Sequence, residues 1–291
     1  MKPQDSAGIG AYYDSLARFL DVARRVGRGG GAAEGATHRF LAAAPDDGAG
    51  ANGDAASGPE RLNHIVLAAA RAQGLAREPR VLDAGCGLGG TVFFWRERVG
   101  GRFDGLTLSA EQQRRAEAEA LRRGQSAFCR FLLRSYHDAI TERYDAAIAI
   151  ESLAHSPDPA GAVANIAGAL APGGLLVIVD DMQGRQADET LLARFKAGWR
   201  CPVLLDAAGY RGAIAGAGLV IVQEEDLSAR LRPRPLAWLR ILIGAFGLAR
   251  ALAPTRGARD VLGALLGGFY LEALYRTGGM GYRMMIARKP A

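Results

Sequence analysis

Cysteine is scarce in this chain: Cys86, Cys129 and Cys201 are the only three among 291 residues, widely spaced and odd in number. That spacing gives neither a disulfide framework nor a metal-binding pattern, so no metal is expected and a reducing cytoplasm is the default location. Long apolar runs are missing too. The most apolar segment, Ile241 to Ala249, is bounded by Arg240 and Arg250 and falls well short of the about 20 residues that cross a hydrocarbon layer. The opening Met-Lys-Pro-Gln-Asp-Ser lacks the apolar core of a signal peptide. The chain is therefore expected to be cytoplasmic or to lie on a membrane surface. Lysine is rare, almost all the basic side chains being arginine, and the net charge is +6. That balance fits attraction to anionic lipid or to an acidic substrate. Basic residues clustered with aromatics, and any nucleic-acid-binding motif, are lacking, so no nucleic-acid partner is expected.

What is present is organised around residues 80–91, Arg-Val-Leu-Asp-Ala-Gly-Cys-Gly-Leu-Gly-Gly-Thr. Val81 and Leu82 read as a buried strand and Asp83 as the first polar residue after them. Gly85, Gly87 and Gly89 make a turn, and Thr91-Val-Phe-Phe-Trp opens a helical pattern. Such a turn needs backbone angles that a Cβ forbids and lets a ligand approach the main chain closely. Gly85, Gly87 and Gly90 also satisfy G-x-G-x-x-G, the dinucleotide fingerprint, which alone is a weak signal. A nicotinamide site wants an acid at the end of the second strand, and here that strand runs into Thr107.

The Asp-x-Gly-x-Gly-x-Gly pattern of Asp83 to Gly89 instead resembles motif I of class I S-adenosylmethionine-dependent methyltransferases. The string Gly105-Leu-Thr-Leu-Ser-Ala-Glu-Gln112 is similar to the branch holding cyclopropane-fatty-acid synthases and the tocopherol, sterol and terpenoid methyltransferases. There a hydroxyl residue replaces the usual ribose-binding acid, as Thr107 does here. The resemblance covers about residues 78–185 and implies S-adenosyl-L-methionine as cofactor, held by Asp83, Gly85, Cys86, Gly87, Gly89, Thr107, Ser109, Gln112, Ser135 and Tyr136. Related enzymes carry an acid-Tyr-Arg-Asp string whose first carboxylate meets the adenine; this chain has Ser135 in that place. Ser109 and Gln112 also form a capping box for the helix 110–123. Tyr12-Tyr13-Asp14 matches a Tyr-Asp that reaches over the cofactor in many methyltransferases, or else simply packs an amphipathic helix.

Strand and helix patterns alternate from residue 80, which argues for a parallel sheet covered on both faces. The expected fold is α/β, a doubly wound, mostly parallel, Rossmann-like sheet of seven strands. A helical cap comes from the N-terminus and from an insertion before the last strand. The boundaries are 1–76 for the N-terminal cap with a linker over 44–60, 77–225 for the cofactor-binding core, 226–280 for the inserted cap, and 281–291 for the last strand. The fourth strand, 144–150, is almost wholly apolar and so buried on both faces. Asp158 followed by Pro159 reads as a helix cap, as does Asp206. The fifth strand, Leu175 to Val179, ends at Asp180. His38 reads as incidental.

Ligands of open parallel sheets bind outside the carboxyl ends of the strands. Asp83, Thr107, Ser135, Glu151 to His155 and Asp180 all fall there. A hydroxyl acceptor needs a base. His155 resembles the histidine of the Glu-Ser-Leu-x-His string of small-molecule O-methyltransferases, which an Asp after the fifth strand assists; Asp180 holds that place. Glu151 is the candidate base for methylation of an alkene carbon, which leaves a cation that must lose a proton. The expected function is methyl transfer to a small hydrophobic acceptor (an isoprenoid, sterol-like molecule, quinone or other natural-product lipid), with oxygen favoured over carbon. A noncatalytic cofactor-binding scaffold is the reading from another class. Trp199, Tyr210, Trp238, Phe269, Tyr270 and Tyr275 are available for a pocket wall or for core packing. Arg230, Arg232, Arg234 and Arg240 enter the insertion as a basic run, either a solvated face or a contact for lipid headgroups or a substrate phosphate.

Overall fold

The structure, a computed structural model, describes residues 58–291. The readings placed on Tyr12-Tyr13-Asp14, on His38 and on the N-terminal part of the cap lie outside the described residues. The first described helix, α1 (Gly58–Ala72), starts inside the stretch expected to be linker. Pro59 and Glu60 fall in its first turn, where a missing N–H costs nothing and a carboxylate meets the positive end of the helix dipole.

Alternation then follows from residue 80: β1 (Arg80–Ala84), α2 (Gly90–Val99), β2 (Arg102–Thr107), α3 (Ala110–Arg122), β3 (Cys129–Leu133), β4 (Tyr144–Ile150), α4 (Pro159–Gly168), β5 (Leu170–Gln183), α5 (Glu189–Trp199), α6 (Ala207–Gly216) and β6 (Val220–Asp226). Two helices, α7 (Leu236–Leu252) and α8 (Arg256–Thr277), separate β6 from β7 (Met280–Arg288). The seven strands form one sheet in the order β3-β2-β1-β4-β5-β7-β6. β1 to β5 pair in parallel, while β7 runs antiparallel between β5 and β6. This is a Rossmann-like α/β fold with a mostly parallel, mixed sheet.

Period-two patterning explains how the sheet is held. Val81, Ile148, Val177, Val179, Met284 and Ile286 bury on one face. Their chain neighbours Leu82, Ala147, Ala149, Leu176, Ile178 and Met285 bury on the other. Each central strand is thus apolar on both sides, as a sheet wrapped by helices requires. Caps set the helix starts: Asp158 accepts from the Gly161 N–H at 2.9 Å with Pro159 in the first turn, and Asp206 accepts from the Gly209 N–H at 2.7 Å.

One boundary differs in a way that matters for the site. β5 does not stop at Val179; it runs to Gln183, with Asp180 opposite Arg283 and Asp181 opposite Tyr282. The two acids read as a strand end in sequence, yet antiparallel pairing with β7 carries the ladder past them. The segment before β7 is helical. α7 packs along α8, and α8 packs against α5.

Ile148 is fully buried at the centre of β4. Ile148→Ala should lower unfolding free energy by about 2–5 kcal/mol, the range for a large-to-small change in a close-packed core. Urea denaturation should register it as a lower midpoint with an unchanged slope.

Candidate active site

β1 lies between β2 and β4, where the strand order reverses, and Asp83 pairs across to Gly105 on one side and Ile148 on the other. Crevices for ligands form at such switch points. Asp83 is only 4% exposed, and among the described residues no donor reaches its carboxylate. Burial pushes its pKa up to about 7. A buried carboxylate without a bond partner is costly, and a cation placed beside it relieves the cost.

The turn that follows is built on positive φ: +113° at Gly85, +53° at Gly87 and +84° at Gly89. Gly85 also allows a close approach, since a Cβ there would come 2.5 Å from the Ser152 Cβ. Ser152 in turn donates to the Ala84 carbonyl at 2.7 Å, so β1 and the segment after β4 are fastened together across the crevice. Gly87 differs from its neighbours: a Cβ there would meet open space. The glycines thus close one side of the turn and leave the other available. Cys86 is structural in its contacts. Its N–H donates to the Leu106 carbonyl at 2.9 Å, its thiol packs against Gly105, and burial pushes its pKa well up.

Thr107, Ser109 and Gln112 come together at the start of α3. The Thr107 hydroxyl donates to Gln112 Oε1 at 2.8 Å and accepts from the Ser109 N–H at 3.2 Å. Ser109 Oγ accepts from the Gln112 N–H at 3.1 Å. Half of the capping box forms; the Gln112 side chain turns to Thr107 in place of the Ser109 main chain. Ser135 Oγ accepts from the His137 N–H at 3.1 Å, and the Ser135 N–H donates to Asp138 at 3.0 Å, so this residue folds its own turn. Tyr136 donates to the Ser152 carbonyl at 3.2 Å and ties that turn to the one after β4.

Glu151 ends β4 with φ +52°, unusual for a residue with a side chain. Its Oε1 accepts from the Tyr282 hydroxyl at 2.7 Å. A single 3₁₀ turn over Leu153–His155 follows. The His155 ring faces Cys201, with Nδ1 3.7 Å from Sγ. Behind it lies an apolar cluster of Leu192, Phe195, Leu204, Leu271, Leu274 and Met280. Asp180 reaches this turn through the main chain, accepting from the Ala154 N–H at 2.9 Å, and also takes the Tyr210 hydroxyl at 3.4 Å. Burial, and then the neighbouring Asp181, push its pKa up to about 7. Asp181 accepts from the Tyr275 hydroxyl of α8.

The crevice therefore gathers most of the residues singled out in sequence, and adds Ser152, Cys201 and Tyr282. Ser152 was visible within the Glu-Ser-Leu-x-His string. Cys201 and Tyr282 carried no local signal, being 46 and 131 residues from their partners. Of the candidate wall aromatics, Tyr210 and Tyr275 reach the two acids. Trp199 donates to the Ala264 carbonyl at 2.9 Å between α5 and α8. Trp238 faces outward.

Residues 82–176 match the model of a methyltransferase domain. The chain is 38% identical over 117 residues to the ubiquinone biosynthesis O-methyltransferase of Serratia proteamaculans, a stretch that is 40% of this chain and 46% of that protein. It is 25% identical over 222 residues to the chloroplastic tocopherol O-methyltransferase of Arabidopsis thaliana, 72% of this chain and 63% of that one. The chain thus spans about half to three fifths of the length of these curated relatives. Among solved structures, the 4+2-cyclase SpnF superimposes with a TM-score of 0.74 at 24% identity, over 98% of this chain and 96% of that one. The geranyl diphosphate C-methyltransferase from Streptomyces coelicolor A3(2), solved with S-adenosyl-L-homocysteine, gives 0.69 at 19% identity over 99% and 98%. At these identities the likeness is one of fold.

Two outcomes follow from the geometry. Gly85→Ala should destabilise the chain and weaken ligand binding together, since the new methyl group meets Ser152 at a φ that L residues avoid; thermal melting and calorimetry measure both. In the ligand-free chain the contribution of Asp83 and Asp180 to stability should fall as pH rises from 3.8 to about 7, because both retain protons in the folded state that the unfolded chain has released, while His64 and His137, held low chiefly by burial, act in the opposite sense. Glu119 and Glu224, held low by Arg122 and Arg211, act below that window. Urea midpoints at about pH 5 and about pH 8 should therefore differ, and the difference should shrink in Asp83→Asn.

Proposed function

We propose that this chain, which carries a class I methyltransferase domain of the S-adenosylmethionine-dependent kind, moves a methyl group to an oxygen of a small hydrophobic acceptor. An isoprenoid, a sterol-like molecule, a quinone or another natural-product lipid would serve. The observation that carries this reading is the buried carboxylate of Asp83, without a donor among the described residues, close in the chain to the open side of the Gly87 turn. An ammonium-bearing nucleoside fits that pair of features, and a dinucleotide does not need the carboxylate. The names of the two relatives, one for ubiquinone and one for tocopherol, support a lipid-like acceptor.

In this reading residues 77–225 hold the donor. Asp83 takes its ammonium, Thr107 with Ser109 and Gln112 bonded around it faces the ribose, and the Ser135–Tyr136 turn lies against the adenine. The bound donor supplies an electrophilic methyl group on a sulfonium centre. The chain's task is then to hold the acceptor in line and to exclude water. Residues 226–280 form the acceptor's cover, and the apolar cluster beside His155 gives it a dry wall. His155 takes the acceptor's hydroxyl proton. Asp180 is a positioning residue: it fixes the turn through the Ala154 N–H.

Carbon methylation is the second reading, favoured by Glu151. Its left-handed backbone and its bond from Tyr282 hold a carboxylate at the strand end, and a structural neighbour is named a C-methyltransferase. His155→Ala should lower O-methyl turnover at least ~100-fold, the scale for removing a positioned base, with donor affinity unchanged in calorimetry. Loss of turnover confined to Glu151→Gln would move the chemistry to carbon. Incubation with isotopically labelled donor and a lipid extract should yield a labelled methyl ether. A donor that binds without passing on its label would leave a noncatalytic scaffold.

A further inference from the structure

The positive charge of this chain is concentrated. Between Asp226 and Asp260 lie seven arginines and no acid, against a net charge of +6 for all 291 residues. Arg230 pairs with Glu225 and Arg234 with Glu272. Arg240, Arg250 and Arg256 are exposed and have no carboxylate partner among the described residues.

α7 occupies the middle of this segment and contains no acidic residue. Only Leu239 is fully buried along it, while Phe246 turns inward to meet Phe269 of α8 edge-on at 5.2 Å. Trp238, Ile241, Ala245, Leu248 and Leu252 recur at i, i+3, i+7, i+10 and i+14, which places them on one stripe of the helix, about 20 Å long. That stripe faces outward: Trp238 is 62% exposed, Ile241 61%, Leu248 64% and Leu252 73%. A continuous outward apolar row is rare on a protein that meets only water. No helix among the described residues is long and apolar enough to cross a membrane.

We propose that α7 lies in the interface of an anionic lipid bilayer, its Trp238-to-Leu252 stripe among the acyl chains and the arginines around it on headgroup phosphates. An amphipathic helix with a basic surround and an interfacial tryptophan has the composition such docking needs. A second copy of the chain is the poorer occupant, because it would bring an equally basic segment against this one. The positions flanking the stripe (Leu242, Gly244, Ala249 and Ala251) also carry no charge to fix a helix pair. α8 links the docked helix to the site, packing along α7 and giving its Tyr275 hydroxyl to Asp181. Docking would thus set the cover of the crevice against the phase in which an apolar acceptor dissolves. That purpose rests on the proposed methyl transfer; the docking itself does not.

Flotation of the full chain with vesicles tests it, in the absence of any methyl donor. The chain should float with vesicles of mixed phosphatidylglycerol and phosphatidylcholine, less with phosphatidylcholine alone, and less in high salt. The double variant Ile241→Ser with Leu248→Ser should bind at least ~10-fold more weakly, two aliphatic side chains in lipid being worth more than a decade of affinity. Arg240→Glu with Arg256→Glu should abolish the preference for anionic lipid. All four positions are exposed or on the helix rim, and circular dichroism and donor calorimetry check that the fold persists. Trp238 emission, isolated by difference from Trp238→Phe, should shift to the blue with vesicles and be quenched by brominated lipid. Absence of flotation, or flotation unchanged in the serine variant, overturns the proposal. So does a dimer in sedimentation velocity that the serine variant dissolves, or Trp238 emission already blue-shifted without lipid and unmoved by it. The last two results would assign the stripe to a second copy or to residues 1–57.

Discussion

Asp83 sits at the end of β1 with its carboxylate withdrawn from water and without a donor among the described residues. Isolated ionised groups are not normally left so, because desolvation penalises the charge and nothing repays it. The surroundings keep Asp83 where it is. The Gly85 turn is pressed against Ser152, Ser152 is bonded to the Ala84 carbonyl, and Leu82 and Ala84 are buried in the sheet. The strand cannot rotate its acid outward without breaking those contacts. An unmet electrostatic need is therefore fixed in place at the switch point, and a ligand that carries a cation fits it. Thr107 with its ring of bonds, and the Tyr136 turn held to Ser152, are the groups that the proposed reading assigns to the rest of that ligand's cradle.

The opposite wall of the crevice is made differently. Its polar groups, Glu151, Asp180 and Asp181, each meet a tyrosine from a distant part of the chain: Tyr282 of β7, Tyr210 of α6 and Tyr275 of α8. Behind the His155 turn the packing is apolar. Such a wall excludes water and strengthens whatever electrostatic contact forms inside it. It is also where α8 attaches. The inserted helices are thereby coupled to the crevice by packing on α5 and by one hydroxyl on Asp181, while α7 turns its own apolar stripe away. One member of the helix pair thus packs toward the site and the other presents its stripe outward.

Much of this was written locally in the sequence. The continuous apolar runs at 81–82, 144–150 and 175–179, the glycines at 85, 87 and 89, and the caps Asp158 and Asp206 announce a parallel sheet with a glycine turn after its first strand. Each depends only on a few adjacent side chains and on backbone angles that those residues permit or forbid. The length of β5 was not legible, because a pair of aspartates reads as a strand end until antiparallel pairing with β7 supplies the ladder beyond them. Nor was the work of Asp180, which in sequence sits ready to pair with an imidazole and in the structure receives the Ala154 N–H and the Tyr210 hydroxyl.

By itself, then, the sequence determined the sheet, its glycine turn and the acid at the strand end, since apolar runs and permitted φ are properties of neighbours in the chain. Tertiary structure alone decided that Asp83 is without a donor among the described residues, that Ser152 closes the turn, which tyrosine meets which acid, and that the stripe of α7 faces out. Those outcomes are set by which surfaces lie within a few ångströms after folding, and residues as far apart as Glu151 and Tyr282 carry no mark of the partner that packing assigns them.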